Sequence, residues 1–162
     1  MKKIIIFGLG QIAELTFDLI KQIENTKVTA FSAHKKNIAS DKFMDLPIYP
    51  IEEIKNKINC EDHFFVTAIS YKNLNESRET VYKQLKEQNF KFTNVIHPNA
   101  ICRHDDIGEN NIIFELNNIQ RGVSIGNNNI FWSSNHIGHH STISNNCFFS
   151  SHVVISGSVI IE

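Results

Sequence analysis

Past Lys91 the chain has no lysine, and only two of its sixteen basic residues, Arg103 and Arg121, lie beyond that point. It is also poor in cysteine (three), proline (three) and tryptophan (one), and its formal net charge is −1. A near-zero charge gives no electrostatic footprint for nucleic acid or an anionic membrane. No apolar run approaches the ~20 residues that a bilayer-spanning helix needs. The opening Met1-Lys2-Lys3-Ile4-Ile5-Ile6-Phe7 has the charge and apolarity of a signal peptide. Its apolar core is too short for one, and Gly8-Leu9-Gly10 follows where that core should continue. A buried first strand accounts for it. Cys60, Cys102 and Cys147 lie too far apart for a disulfide framework or a zinc motif, which fits a reducing cytoplasm.

Apolar residues make up 41% and charged residues 20% of the 162, the balance of a soluble globular protein with room for one domain or two small ones. As the lysines stop, asparagine becomes dense: Asn110, Asn111, Asn117, Asn118, Asn127, Asn128, Asn129, Asn135, Asn145, Asn146. So sharp a shift predicts two architectures, residues 1–97 and 98–162. They join at His97-Pro98, where proline turns the chain away from helix.

The first part alternates strand and helix patterns. Strands are expected at Lys3–Phe7, Val28–Phe31, His63–Ile69 and Phe92–Ile96. Helices are expected at Gln11–Glu24, Ile51–Ile58 and Glu76–Gln88, where apolar residues recur at helical spacing. Such alternation predicts a parallel sheet with right-handed crossovers. Gly8-Leu9-Gly10-Gln11-Ile12-Ala13 falls between the first strand and the first helix. There the glycines either only tighten the turn or open a helix N-terminus to the phosphate of a mononucleotide or nucleotide-sugar. A dinucleotide site would end the second strand in an acidic residue; Phe31-Ser32 stands there instead, which disfavours NAD.

Beyond residue 98 every sixth residue is large and apolar: Ile101, Ile107, Ile113, Ile119, Ile125, Phe131, Ile137, Ile143, Phe149, Ile155, Ile161. An α-helix cannot use this period, because the marks would rotate around its axis. A β-helix of triangular section can. Three hexapeptides complete a coil of about eighteen residues, and the marks point inward and stack. The residue two before each mark is small or carries an amide in many repeats, and stacked asparagines can bond along the axis. Glycine follows the mark at Gly108, Gly126 and Gly138, where tight corners are expected. In this geometry His139 projects from a corner, and Gly157 lies one coil beyond it.

Gly8-Leu9-Gly10-Gln11-Ile12-Ala13-Glu14, then Asn75 and Arg78, then Asn135-His136-Ile137-Gly138-His139-His140-Ser141 together resemble the NeuD/PglD family of sugar acetyltransferases. The resemblance implies an α/β, Rossmann-like N-terminal domain followed by a left-handed parallel β-helix. It implies acetyl transfer from acetyl-CoA to an amine or hydroxyl of a sugar, carried by a nucleotide, in bacterial glycan biosynthesis. It further implies a homotrimer through the β-helix, with sites in the grooves between copies. His139 matches the family's general base, and an imidazole suits that task near neutrality. With acyl transfer implied, the Gly157 amide one coil on is expected to bond the thioester carbonyl and stabilise the developing oxyanion. The implied substrate-binding residues are Gly8, Gly10, Gln11, Ser32, Asn75, Arg78 and His136; His152 is expected in the same groove. The family carries an acidic residue after its catalytic histidine, where this chain has His140. The repeats leave room for about three and a half coils, fewer than the family carries, so a C-terminally shortened form is expected. Two alternatives stay open. One is a non-catalytic nucleotide-sugar-binding protein lacking the coenzyme coils. The other is a metal-dependent β-helix enzyme using His136, His139 and His140. Those histidines lack the helical glutamate motif of zinc proteases, so no metal is expected.

Overall fold

The computed structural model describes residues 1–103 and 106–162. From residue 95 onward the chain winds as a parallel β-helix. Its sides are three four-stranded parallel sheets built from two-residue strands. The first side stacks β6 (Val95–Ile96), β9 (Ile112–Ile113), β12 (Ile130–Phe131) and β15 (Phe148–Phe149). The second stacks β7 (Ile101–Cys102), β10 (Asn118–Ile119), β13 (His136–Ile137) and β16 (Val154–Ile155). The third stacks β8 (Asp106–Ile107), β11 (Ser124–Ile125), β14 (Thr142–Ile143) and β17 (Ile160–Ile161). Register is eighteen residues per coil, as in Asn118 beside His136 and Ser124 beside Thr142.

Ile113, Ile119, Ile125, Phe131, Ile137, Ile143, Phe149 and Ile155 are buried in one internal column cluster, with Ile107 and Ile161 packed against it. Ile101 departs from the expected series. It is 51% exposed, and Cys102 takes the inward place, because the first coil is one residue short: Cys102 pairs with Ile119, seventeen residues on. The inward asparagines bond along the axis. Asn129 Oδ1 accepts the Cys147 N–H at 2.7 Å, and Asn111 Oδ1 accepts the Asn129 N–H at 2.9 Å. Each satisfies an amide that the corner would otherwise leave buried and unpaired. From Ile107 onward the left-handed backbone falls on the third residue after the mark, as at Asn110, Gly122, Asn128, His140 and Asn146, and not on the glycines that directly follow a mark. Gly108, Gly126 and Gly138 serve close approach instead. A Cβ on Gly138 would stand 2.4 Å from the Gly157 nitrogen.

The expected Rossmann-like domain is not evident, and that part of the fold class is corrected. The described residues form only two α-helices, α1 (Gln11–Ile20) and α2 (Glu76–Glu87). The N-terminal residues form five strands, β1 (Lys2–Phe7), β2 (Thr26–Ala33), β3 (Lys42–Phe43), β4 (Leu46–Pro50) and β5 (His63–Thr67). They make one sheet of order β3-β4-β2-β1-β5. The pair β3–β4 is antiparallel. The helix expected at Ile51–Ile58 is turn and a single 3-10 turn at Ile54–Asn56. Eight residues without a side-chain cap are too few to offset helix nucleation. The strand expected at Phe92–Ile96 divides: Phe92 makes an isolated bridge to Phe65, while Val95–Ile96 joins the β-helix.

The two parts share a core. Strand β1 sends Ile4 and Ile6 to one face, where they pack with Ile112 and Ile130 from the outer surface of the first β-helix side. It sends Ile5 and Phe7 to the other face, against Val81 and Leu85 of α2. Period-two alternation within β1 thus feeds two clusters. At the seam Arg78 is 1% exposed. Its Nη1 donates to the Thr67 carbonyl, its Nη2 to the Asn110 carbonyl at 2.9 Å, and its Nε to the Asn128 carbonyl at 3.2 Å. Burial without a counter-charge pushes this guanidinium down to about 9, so it stays charged at neutral pH.

Candidate active site

His139 stands on the corner that follows β13, exposed to solvent. Its ring lies over Gly157: a Cβ built there would come within 2.6 Å of Cε1 and 2.7 Å of Nε2. Only glycine fits beneath this imidazole in the position it takes. The Gly157 N–H donates to nothing among the described residues. The backbone of His139 is held by Gln120, whose Oε1 accepts the His139 N–H at 2.9 Å. Its Nδ1 is 3.0 Å from Nδ1 of His140, with the rings edge-on at 77°. One of the two nitrogens donates and the other accepts. When His139 donates, its Nε2 is left as an outward proton acceptor. His140 is itself pinned by a left-handed backbone (φ 57°) and by Gly122, where a Cβ would reach 2.8 Å from the His140 ring. So His140, at the position where the sequence resemblance implies an acidic residue, supplies the orienting contact through an imidazole.

The remaining site candidates separate into two groups. Gly8, Gly10 and Gln11 line one cleft of about 670 Å3 at the start of α1, together with Asn37, Ser70, Tyr71, Lys72 and Trp132. Gly8 is required there. Its φ is +138°, and a Cβ would lie 2.4 Å from the Ala68 carbonyl oxygen. Gly10 is the N-cap of α1 with an open space above it. The cleft is walled on the β-helix side by Trp132, which stacks on Phe114 at 4.8 Å. Ser32, Asn75 and Arg78 do not line it. Ser32 is fully buried and donates to the Tyr49 carbonyl at 2.9 Å. Asn75, at φ 68°, donates through Nδ2 to the Asn146 carbonyl at 2.7 Å, and its buried Oδ1 has no partner among the described residues. His136 sits half-buried on the second side between Asn118 and Val154, on the same face as His139 but outside either cleft. His152, the remaining candidate, lies on a different corner at φ 61°.

A second depression, of about 380 Å3, holds His139 with Ile101, Arg103, Asn118, Gln120 and Arg121. No motif marks either arginine as a site residue; the signal in the sequence is that they are the only lysine or arginine residues beyond Lys91. Among the described residues no group of three His, Cys, Asp or Glu side chains is placed to hold a metal ion, and no helix is long and apolar enough to cross a membrane.

The sequence matches no family model and no curated protein. Solved structures do match. A histidine-to-asparagine mutant of perosamine N-acetyltransferase from Caulobacter crescentus, in complex with CoA and GDP-perosamine, superposes with a TM-score of 0.83. The match covers 99% of this chain and 74% of that one at 16% identity. WeeI from Acinetobacter baumannii AYE gives 0.82 over 100% and 76% at 16% identity. The acetyltransferase domain of PglB from Neisseria gonorrhoeae FA1090, in complex with acetyl coenzyme A, gives 0.76 over 91% and 69% at 15% identity. The chain shares their fold. At these identities the likeness speaks for architecture, and the site has to be argued from this chain's own residues.

Proposed function

We propose that this chain is an acetyltransferase that moves an acetyl group from acetyl-CoA to an amine or hydroxyl of a nucleotide-linked sugar, with His139 as general base. The observation that carries the reading is the His139 imidazole, exposed, oriented through Nδ1 and seated on Gly157. It is supported by a fold shared with a perosamine N-acetyltransferase solved with CoA and a PglB acetyltransferase domain solved with acetyl coenzyme A. The first of these names an N-acetylation, which favours an amine acceptor here.

The residues divide the work. The His139 Nε2 accepts the proton that the attacking nitrogen or oxygen loses as it bonds to the thioester carbon. The resulting imidazolium returns that proton to the departing sulfur, so the proton count closes. The uncommitted Gly157 N–H fits the carbonyl oxygen on which negative charge builds. His140 fixes the tautomer and direction of His139 through the Nδ1 contact. His136 meets the acceptor from the same face. Gly8, Gly10 and Gln11 take the nucleotide, presenting the first turn of α1 to its phosphate. Ser32, Asn75 and Arg78 act on the acceptor only through the elements they fix.

This division assigns the nucleotide-binding role to residues 1–97 and the transfer chemistry to residues 98–162. The nucleotide cleft and His139 share no lining residue and follow different sides of the coil. The reading therefore includes a homotrimer, in which a sugar held by one copy reaches His139 of another. Its place is the cytoplasm, where acetyl-CoA and nucleotide-sugars are made.

The test is His139→Ala, assayed by thiol release from acetyl-CoA with nucleotide-linked amino sugars as acceptors. A loss of about 10²–10⁴ in turnover is expected for removal of a general base, with the assembly state unchanged by sedimentation. Turnover equal to that of the unmodified chain refutes the assignment.

A further inference from the structure

Among the described residues the depression around His139 is lined by charge of one sign: Arg103 and Arg121, both exposed, with no acidic residue beside them in its lining. Among the described residues neither arginine side chain is in an ion pair or makes a hydrogen bond. Gln120 spends its Oε1 on the His139 N–H, so the group it has left for a ligand is its NH2, a donor. The cleft therefore offers donors and positive charge from two adjoining coils. Guanidiniums lining one depression repel each other, and an anion between them relieves that repulsion. Over the same sixty-odd residues the chain carries no other basic side chain except histidine, so the pair is not part of a generally basic surface.

We propose that Arg103 and Arg121 form an oxyanion subsite beside His139, and that the acceptor places a carboxylate or phosphate there. This inference rests on the reading of His139 as base. Along the β-helix axis Gly157 lies one coil to the C-terminal side of His139, and Arg121 one coil to the N-terminal side, in the same register. With the thioester carbonyl on the Gly157 side, the arginines face the acceptor. Planar guanidiniums suit an oxygen-rich anion better than ammonium groups do, because two N–H bonds can meet two oxygens at once. The subsite is separate from the cleft at Gly8, Gly10 and Gln11. It restricts the acceptor to molecules carrying negative charge within a few ångströms of the acetylated group.

The test uses the full chain at low ionic strength, titrated with inorganic phosphate and, separately, with malonate. Binding is followed by the amide resonances of Arg121, His139 and Gly157. Saturable shifts are expected with one of the two anions, weakened at least tenfold in R103Q/R121Q, whose thermal midpoint should match that of the unmodified chain. Identical titrations for the two proteins overturn the proposal. The source of the anion is then decided by calorimetry with acetyl-CoA. Unchanged coenzyme affinity in R103Q/R121Q places the anion on the acceptor, as proposed; a tenfold loss places it on the donor and overturns that assignment. H139N separates this idea from the base assignment. Anion binding that survives in H139N while turnover does not supports both; anion binding with turnover independent of His139 sinks the base alone.

Discussion

Replacing Gly157 by alanine isolates the contact on which the proposed chemistry depends. Gly157 takes no left-handed conformation, so alanine strains nothing in the backbone, and the amide that would face the thioester remains. What changes is the space under His139. The new methyl would lie 2.6 Å from Cε1, whereas ordinary contact begins near 3.4 Å, so the ring must retreat by about 0.8 Å. The Nδ1 contact to His140 and the reach of Nε2 both move with it. A displacement of ~1 Å at a reacting group is worth about a hundredfold in rate, or about 2.7 kcal/mol of barrier. The expected result is a kcat about a hundredfold lower, a KM for acetyl-CoA altered far less, and an unshifted thermal midpoint. The assay is initial-rate thiol release, repeated in the His139→Ala background. There G157A should add almost nothing, since the group it displaces is gone. G157A within threefold of the unmodified enzyme, or additive with His139→Ala, refutes the argument that this imidazole acts from this position.

Arg78→Met keeps the volume and removes three donors from buried carbonyls; a loss of about 3–5 kcal/mol is expected in urea unfolding, mostly from the stranded acceptors. The direction with pH follows from the lowered guanidinium: between about 9 and its unfolded value the unfolded chain binds the extra proton, so stability rises with pH there, and this rise should vanish in Arg78→Met. His140→Asn tolerates the left-handed backbone and keeps a polar side chain beside His139, so it should retain more turnover than His140→Leu, with the difference in kcat and little in KM. The Ser133 hydroxyl, 2.6 Å from Glu115, holds that carboxyl below its ordinary value. Its contribution is therefore full above the usual ~4.3 and lost as pH falls through the folded value, so Ser133→Ala should flatten the urea midpoint below about pH 4.5.

The repeat was legible because its period is a property of the side chains alone. Ile113 through Ile155 had to face one axis, and they do. The slip at Ile101 was not legible: a coil shortened by one residue still leaves an apolar residue at either position, and only pairing shows that Cys102 is inside. The positive backbone angles fell on Asn110, Asn128 and Asn146 where glycine was expected to mark corners, because glycine here answers crowding by the next coil. In the N-terminal part, alternating apolar segments read as full strand–helix units, but Ile51–Ile58 is too short to hold a helix, and Val95–Ile96 finds a better partner in Ile112–Ile113. At the site, the corner placement of His139 and its alignment with Gly157 followed from counting residues. The contact with His140 and the cleft shared with Arg103 and Arg121 depend on side-chain directions, which spacing does not specify.

The seam around Arg78 has a consequence for how this architecture can change. Repeat arrays usually gain or lose a unit freely, since each unit touches only its neighbours. Here Arg78 holds carbonyls of two successive coils, at Asn110 and Asn128, and Asn75 holds the third at Asn146. The helix that carries them acts as a ruler, with marks one coil apart. Because all three contacts are to backbone carbonyls, a whole eighteen-residue coil inserted between residues 128 and 146 would present an equivalent carbonyl to Asn75. An insertion of one or two residues there would carry the carbonyl off its mark, and the same insertion after residue 146 meets no such measure. The seam thus measures the length of each coil without specifying its sequence.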